Sequence, residues 1–158
     1  MADYGRNISF VDNVKNKVCV SQTVYFLLRY MIRYEHFVLS NGLRVYVHED
    51  HSTPMAAVNI LYNVGSRDED EKRTGFAHLF EHLMFSGSKN IPVYDEPLQR
   101  VGGENNAFTS PDITNYYLSL PAQNIETGFW LESDRMLDLA FSDHGLEVQR
   151  KVVVEEFK

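Results

Sequence analysis

The chain has 158 residues, 44% of them apolar, and its 22 acidic against 15 basic side chains leave a formal net charge of -7. Such a length and apolar content bury one sizeable core, so a single domain or part of one is expected. The negative charge, without a Lys/Arg cluster or a glycine-rich phosphate loop, argues against nucleic-acid binding. The single cysteine, Cys19, excludes an internal disulfide and a cysteine metal shell.

Residues 1–30 carry four Lys/Arg against two Asp, while the remainder carries 11 against 20 acidic groups. They read as an appended N-terminal extension of unclear status, ahead of a domain over 31–158. The apolar stretch Val18 to Leu28 is interrupted by Ser21, Gln22 and Thr23 and is too short for a membrane span. With no convincing small-residue cleavage site, a cytoplasmic location is expected, the periplasm being the alternative. From Met31 the chain reads as a new start and then a hairpin, with Asn41-Gly42 as the turn between Phe37–Leu39 and Leu43–Val47. Ala56 to Val64 reads as a third, largely buried strand, and Gly65 to Asp68 turns out of it. The run Asp68 to Arg73 (DEDEKR) reads as solvated surface.

Gly75 to Phe85 reads as a helix with Thr74 as its cap, and it holds His78-Leu79-Phe80-Glu81-His82. Residues four apart on a helix differ by about 40° around the axis, so His78 and His82 project side by side and can bind one metal ion as neutral imidazoles. Glu81 lies about 60° to the other side of His78, within reach of a water that such an ion activates, as a general base rather than a ligand. This is a zinc-hydrolase arrangement. It has the order called inverzincin, opposite to HExxH. The chain's own His and Glu frequencies give about a 2% expectation of one chance HxxEH. An ionisable cluster inside the apolar helix of Phe76, Leu79, Leu83 and Met84 is costly unless it is used.

Further along, Pro92 to Val101 suggests a second helix interrupted near Pro97 and ended by Gly102-Gly103. Ile113 to Leu120 reads as a β-branched and aromatic strand. Pro121 is expected to begin an amphipathic helix running to about Leu139, with Ile125, Phe129, Met136 and Leu137 as core contacts. Leu146 starts a last helix, with His144 on the loop before it. His36, His48, His51 and His144 read as surface or packing residues. A catalytic zinc site needs a third protein ligand. Val152 to Val154 lead into Glu155 and Glu156, either of which could complete a His2Glu shell; about 100° apart on a helix, only one can face the metal.

The HLFEH motif, GGENNAFTSPDITNYYLSLP over residues 102–121 and VVVEE over 152–156 together closely resemble the pitrilysin, insulin-degrading enzyme and mitochondrial processing peptidase family, most of all its shorter bacterial members. The resemblance covers most of residues 36–158. It implies an α+β fold, a mixed, largely antiparallel sheet with helices packed on one face, forming a metallopeptidase half-domain. It also implies Zn2+ as cofactor, His78, His82 and Glu156 as ligands, and Glu81 as the base. Family members bind peptides as an added strand on a sheet edge, and the segment Asn106-Ala107-Phe108-Thr109 looks like that edge, with Asn106 holding substrate backbone and Phe108 lining the cleft. Many members carry an acidic residue two turns before the glutamate ligand. This chain has Gln149 there, which implies a tuned environment around the ligands rather than loss of zinc.

The expected function is therefore zinc-dependent endopeptidase activity on extended peptides. The alternative is a truncated or non-catalytic member that needs a partner half, because the resemblance implies a chamber closed by a second related domain or subunit. The intact HLFEH argues against a purely structural role.

Overall fold

The computed structural model describes residues 32–158, so the expected extension over residues 1–30 lies outside the described residues. The chain divides after His51 into two compact units. In the first, β1 (Glu35–Val38) and β2 (Arg44–Val47) form the expected antiparallel hairpin, with Phe37 opposite Val45. Its connection holds the expected Asn41-Gly42 turn, preceded by Ser40. Leu39 N–H donates to the Leu43 carbonyl and Gly42 N–H to the Leu39 carbonyl, both at 2.9 Å, which makes a three-residue loop. Gly42, at φ 89°, takes the left-handed position that closes such a loop.

The second unit, Ser52–Lys158, holds a three-stranded antiparallel sheet of β3 (Met55–Tyr62), β4 (Glu104–Thr109) and β5 (Thr114–Pro121), in the order β3-β5-β4. Val58 faces Leu118 and Ala107 faces Tyr116 across the two ladders. Four helices accompany it: α1 (Phe76–Leu83), α2 (Asp95–Arg100), α3 (Ile125–Leu137) and α4 (Asp143–Glu156). The helices cover one face of the sheet, as expected. Strand β3 is consequently not buried throughout. Its side chains alternate, with Val58 buried and Leu61 56% exposed, because successive residues of a strand point to opposite faces. The core is Val58, Ile91, Tyr94, Leu98, Leu118, Leu120 and Leu131. Each of the four fully buried leucines contributes about 1.5–3 kcal/mol of burial free energy. Among the described residues no helix is long and apolar enough to cross a membrane.

Helices α2 and α3 depart from expectation. Helix α2 is shorter than residues 92–101 and is not interrupted: Pro97 sits in its first turn, where a missing N–H costs no helical hydrogen bond. Gly102 N–H to Gln99 O and Gly103 N–H to Leu98 O end it where expected. Pro121 closes β5, and a short 3-10 turn, Ala122–Asn124, leads into α3. Ile125 packs on the core as expected, but Phe129, Met136 and Leu137 are exposed, Leu137 by 83%. The inward row is Gly128, Leu131, Glu132 and Arg135, at the i, i+3, i+4, i+7 spacing of one helix face.

Two of those inward residues are charged, and they pair with each other, while Arg135 Nη1 is left buried without a hydrogen-bond partner. Arg135 donates from Nε to Glu132 Oε2 at 2.9 Å and from Nη2 to Oε1 at 2.7 Å, and the Tyr94 hydroxyl donates to Oε1 at 2.6 Å. The guanidinium lies 4.5 Å from the Tyr94 ring centroid and 4.4 Å from that of Tyr116, a cation–π contact away from water. Burial pushes both tyrosine hydroxyls above their ordinary range, so they stay neutral. Removing one member strands the other charge. Glu132→Ala is expected to destabilise the fold by about 3–5 kcal/mol. Removing the exposed pair Glu96–Arg100 through Glu96→Ala should cost about 0.5 kcal/mol or less. Equal shifts of the two urea midpoints would contradict this ranking.

Candidate metal centre

Gly75 immediately precedes helix α1 with a φ of 90° that suits glycine, and no side chain caps the helix in the usual way. Thr74 is therefore not the cap. Glu69 takes that role from outside the helix: its two carboxylate oxygens accept from the Gly75 and Ala77 N–H groups, each at 2.7 Å. A negative charge at this end also meets the positive end of the helix dipole. The acidic run is thus partly structural rather than merely solvated, since Asp68 accepts from Gly65 N–H and Asp70 from Lys72 N–H as well. The helix ends by tightening, with Phe85 N–H to His82 O and Ser86 N–H to Leu83 O, two residues short of the expected Phe85.

On α1 the imidazoles of His78 and His82 meet side by side, Nε2 to Nε2 at 3.1 Å. Glu156, at the end of α4, brings Oε2 to 3.3 Å from His78 Nε2 and 3.4 Å from His82 Nε2. Helix α4 starts at Asp143 rather than Leu146, with the Ser142 hydroxyl accepting from Gly145 N–H, so His144 lies on the helix. Its half-buried row Gly145, Gln149 and Val153 continues to Glu156 and packs along α1. Glu155 is exposed and pairs with Lys158 at 2.8 Å, which leaves Glu156 as the carboxylate at the histidines. Gln149 lies on the row of Glu156, and no hydrogen bond joins it to His78, His82 or Glu156.

Among the described residues this is the one group of three metal-ligating side chains within mutual reach. The triangle can be tested against an ion. Four ligands at about 2.0–2.1 Å in a tetrahedron stand about 3.3 Å apart, and the observed edges are 3.1, 3.3 and 3.4 Å. Two imidazoles and one carboxylate on three corners fit zinc and leave a fourth corner open.

Glu81 sits beside this triangle, half-buried, and accepts a short hydrogen bond at Oε2 from the Thr109 hydroxyl at the end of β4. Nothing in the local spacing of HLFEH signals this partner, which comes from a strand 28 residues away. Among the described residues strand β4 is an edge of its sheet, hydrogen-bonded only to β5. Along it Ala107 and Thr109 are half-buried, while Asn106 and Phe108 are exposed on the other face. Asn106 Oδ1 accepts from Ala107 N–H at 2.8 Å. A cavity of about 590 Å³, lined by Tyr62, Phe76, Phe80, Met84 and Tyr116, lies on the far side of α1 from the imidazoles and takes no part in the triangle.

A family model described as insulinase (peptidase family M16) matches residues 44–158. Over 130 residues the chain is 36% identical to "Zinc protease PqqE" of Helicobacter pylori, covering 80% of this chain and 29% of that protein. It is 30% identical over 122 residues to "Probable mitochondrial-processing peptidase subunit beta, mitochondrial" of Arabidopsis thaliana, covering 76% of this chain and 23% of that one. Its fold superposes on the crystal structure of a protease from Helicobacter pylori with a TM-score of 0.75 at 35% identity, over 80% of this chain and 31% of that chain. The chain belongs to the insulinase family, peptidase family M16. It spans less than a third of the length of these relatives.

The capping of α1 is open to direct measurement. Glu69→Ala should cost about 1–2 kcal/mol of stability and weaken metal binding, since it frees two N–H groups at once. Thr74→Ala should be nearly neutral. Thermal melts of both variants check this, and a larger loss in Thr74→Ala would restore the threonine as cap.

Proposed function

We propose that residues 31–158 form the zinc-binding part of a metalloendopeptidase that hydrolyses peptide bonds in extended peptides. The observation that carries this reading is the triangle of His78, His82 and Glu156 with Glu81 beside it. When bound, zinc supplies Lewis-acid polarisation of the scissile carbonyl and makes water far more acidic than it is in bulk. His78 and His82 contribute neutral imidazole nitrogens, and Glu156 contributes the one negative charge of the ligand set. Glu81 takes the proton of the attacking water and returns it to the leaving amine, so no Ser or Cys nucleophile is required.

The free edge of β4 receives the peptide as an additional strand, where backbone pairing gives affinity that tolerates many sequences. Asn106 and Ala107 lie along that edge, and Phe108 offers an exposed ring to a substrate side chain. Gln149, on the helix row of Glu156, adjusts the ligand environment in place of an acidic group. A second related domain or subunit completes the chamber, a reading supported by the small share of its relatives that the chain spans.

The purified chain is expected to bind one zinc ion, and His82→Ala to abolish that binding, as read by metal analysis after dialysis; equal zinc in the two proteins would remove His82 from the ligand set. Glu81→Gln should keep the zinc while lowering peptide hydrolysis about 10²–10⁴-fold. Turnover by the chain alone should be weak. Robust cleavage by the isolated chain, lost in Glu81→Gln, would show that no partner is needed.

A further inference from the structure

We infer that Thr109 is the positioning residue for Glu81, tying the base to the strand on which the peptide docks. The inference rests on the peptidase reading above and adds to it a residue outside the zinc motif.

The helix alone does not fix where the Glu81 carboxylate points. Its side chain has three rotatable bonds and is only half-buried, so an untethered carboxylate would divide its time among several rotamers. The Thr109 hydroxyl removes that freedom by donating to Oε2. Thr109 is itself well held. It is the last residue of β4, paired in register with Thr114 of β5, and β-branching restricts its χ1.

The hydroxyl inventory fixes the direction of the bond. Thr114 is 4% exposed, and its one proton goes to the Val64 carbonyl at 3.0 Å. Across the 3.5 Å contact between the two threonines, Thr114 therefore has no proton left to give. In the bond with Thr109, Glu81 Oε2 is the acceptor. The proton of Thr109 thus goes to Glu81, and the two threonine oxygens touch without a hydrogen bond between them.

The geometry also links two functions. Thr109 and Ala107 face the helices from the same strand whose outer edge is free. A peptide pairing with that edge is placed in the frame of β4, and the base is placed in the same frame by a hydroxyl of that strand. Errors in such placement are costly, because a misplacement of about 1 Å can lower the rate about 10²-fold.

The test compares Thr109→Val, which keeps the shape and removes the donor, with Thr109→Ser, which keeps the donor. In Thr109→Val, kcat should fall about 10- to 100-fold, the loss expected for a hydrogen bond to a charged group, with KM and zinc content unchanged. Thr109→Ser should recover most of the rate. Crystal structures of the zinc-loaded variants give a readout independent of turnover. The Glu81 carboxylate should leave its position in the valine variant and return in the serine variant, with His78, His82 and Glu156 unmoved. An unmoved Glu81 in Thr109→Val, a wild-type kcat, or a loss that serine does not restore would each overturn the inference. If Glu81→Gln retained full activity, the role of Glu81 itself would fail. Loss in Glu81→Gln with full activity in Thr109→Val would sink the Thr109 role alone.

Discussion

Helix α1 must present three polar groups in two directions, two imidazoles toward α4 and one carboxylate toward β4, from only eight residues. Two turns of helix are not stable alone in water. Its conformation is therefore set from outside, by the Glu69 carboxylate at its start, by the sheet through Thr109, and by α4 through Glu156. Two imidazole nitrogens and a carboxylate oxygen converge within 3.4 Å on one point. A divalent cation held there would satisfy all three at once and would clamp α1 to α4.

Below this surface site the fold is held by a different kind of polar group. The Glu132–Arg135 pair is sealed among Tyr94, Tyr116 and Phe85, joining α3 to α2, to β5 and to the chain just after α1. Such a pair adds little net stability compared with a well-packed apolar core, yet it is severely destabilising when half-removed. Its effect here is to fix the Tyr116 ring in the strand directly opposite Ala107, on the side of the sheet that carries α1. The chemistry at the rim and the packing beneath are thus joined through β5.

The parts of the site readable from sequence were those with local spacing. His78, Glu81 and His82 lie within five residues, and helical periodicity alone puts them in their relative directions. The glutamate from α4 was narrowed only to Glu155 or Glu156 by spacing. Pairing of Glu155 with Lys158 leaves Glu156 at the histidines, as the family resemblance implied. Glu69 carries no capping signal in the sequence, because it caps from six residues before Gly75, outside the usual cap position, within a uniformly charged run. The inward face of α3 does not follow the apolar pattern of the sequence, because an ion pair inside the core carries no hydrophobic signal. The contact between Thr109 and Glu81 depends on how β4 and α1 cross, which no local pattern encodes.

The most direct measurement of the central claim is X-ray absorption spectroscopy of the zinc-loaded chain, because it reads the ligand shell rather than its consequences. The account predicts nitrogen and oxygen scatterers at about 2.0–2.1 Å with the outer-shell signature of two imidazoles, and one oxygen scatterer fewer in Glu156→Ala. A shell without imidazole, or one unchanged by removal of Glu156, would contradict it.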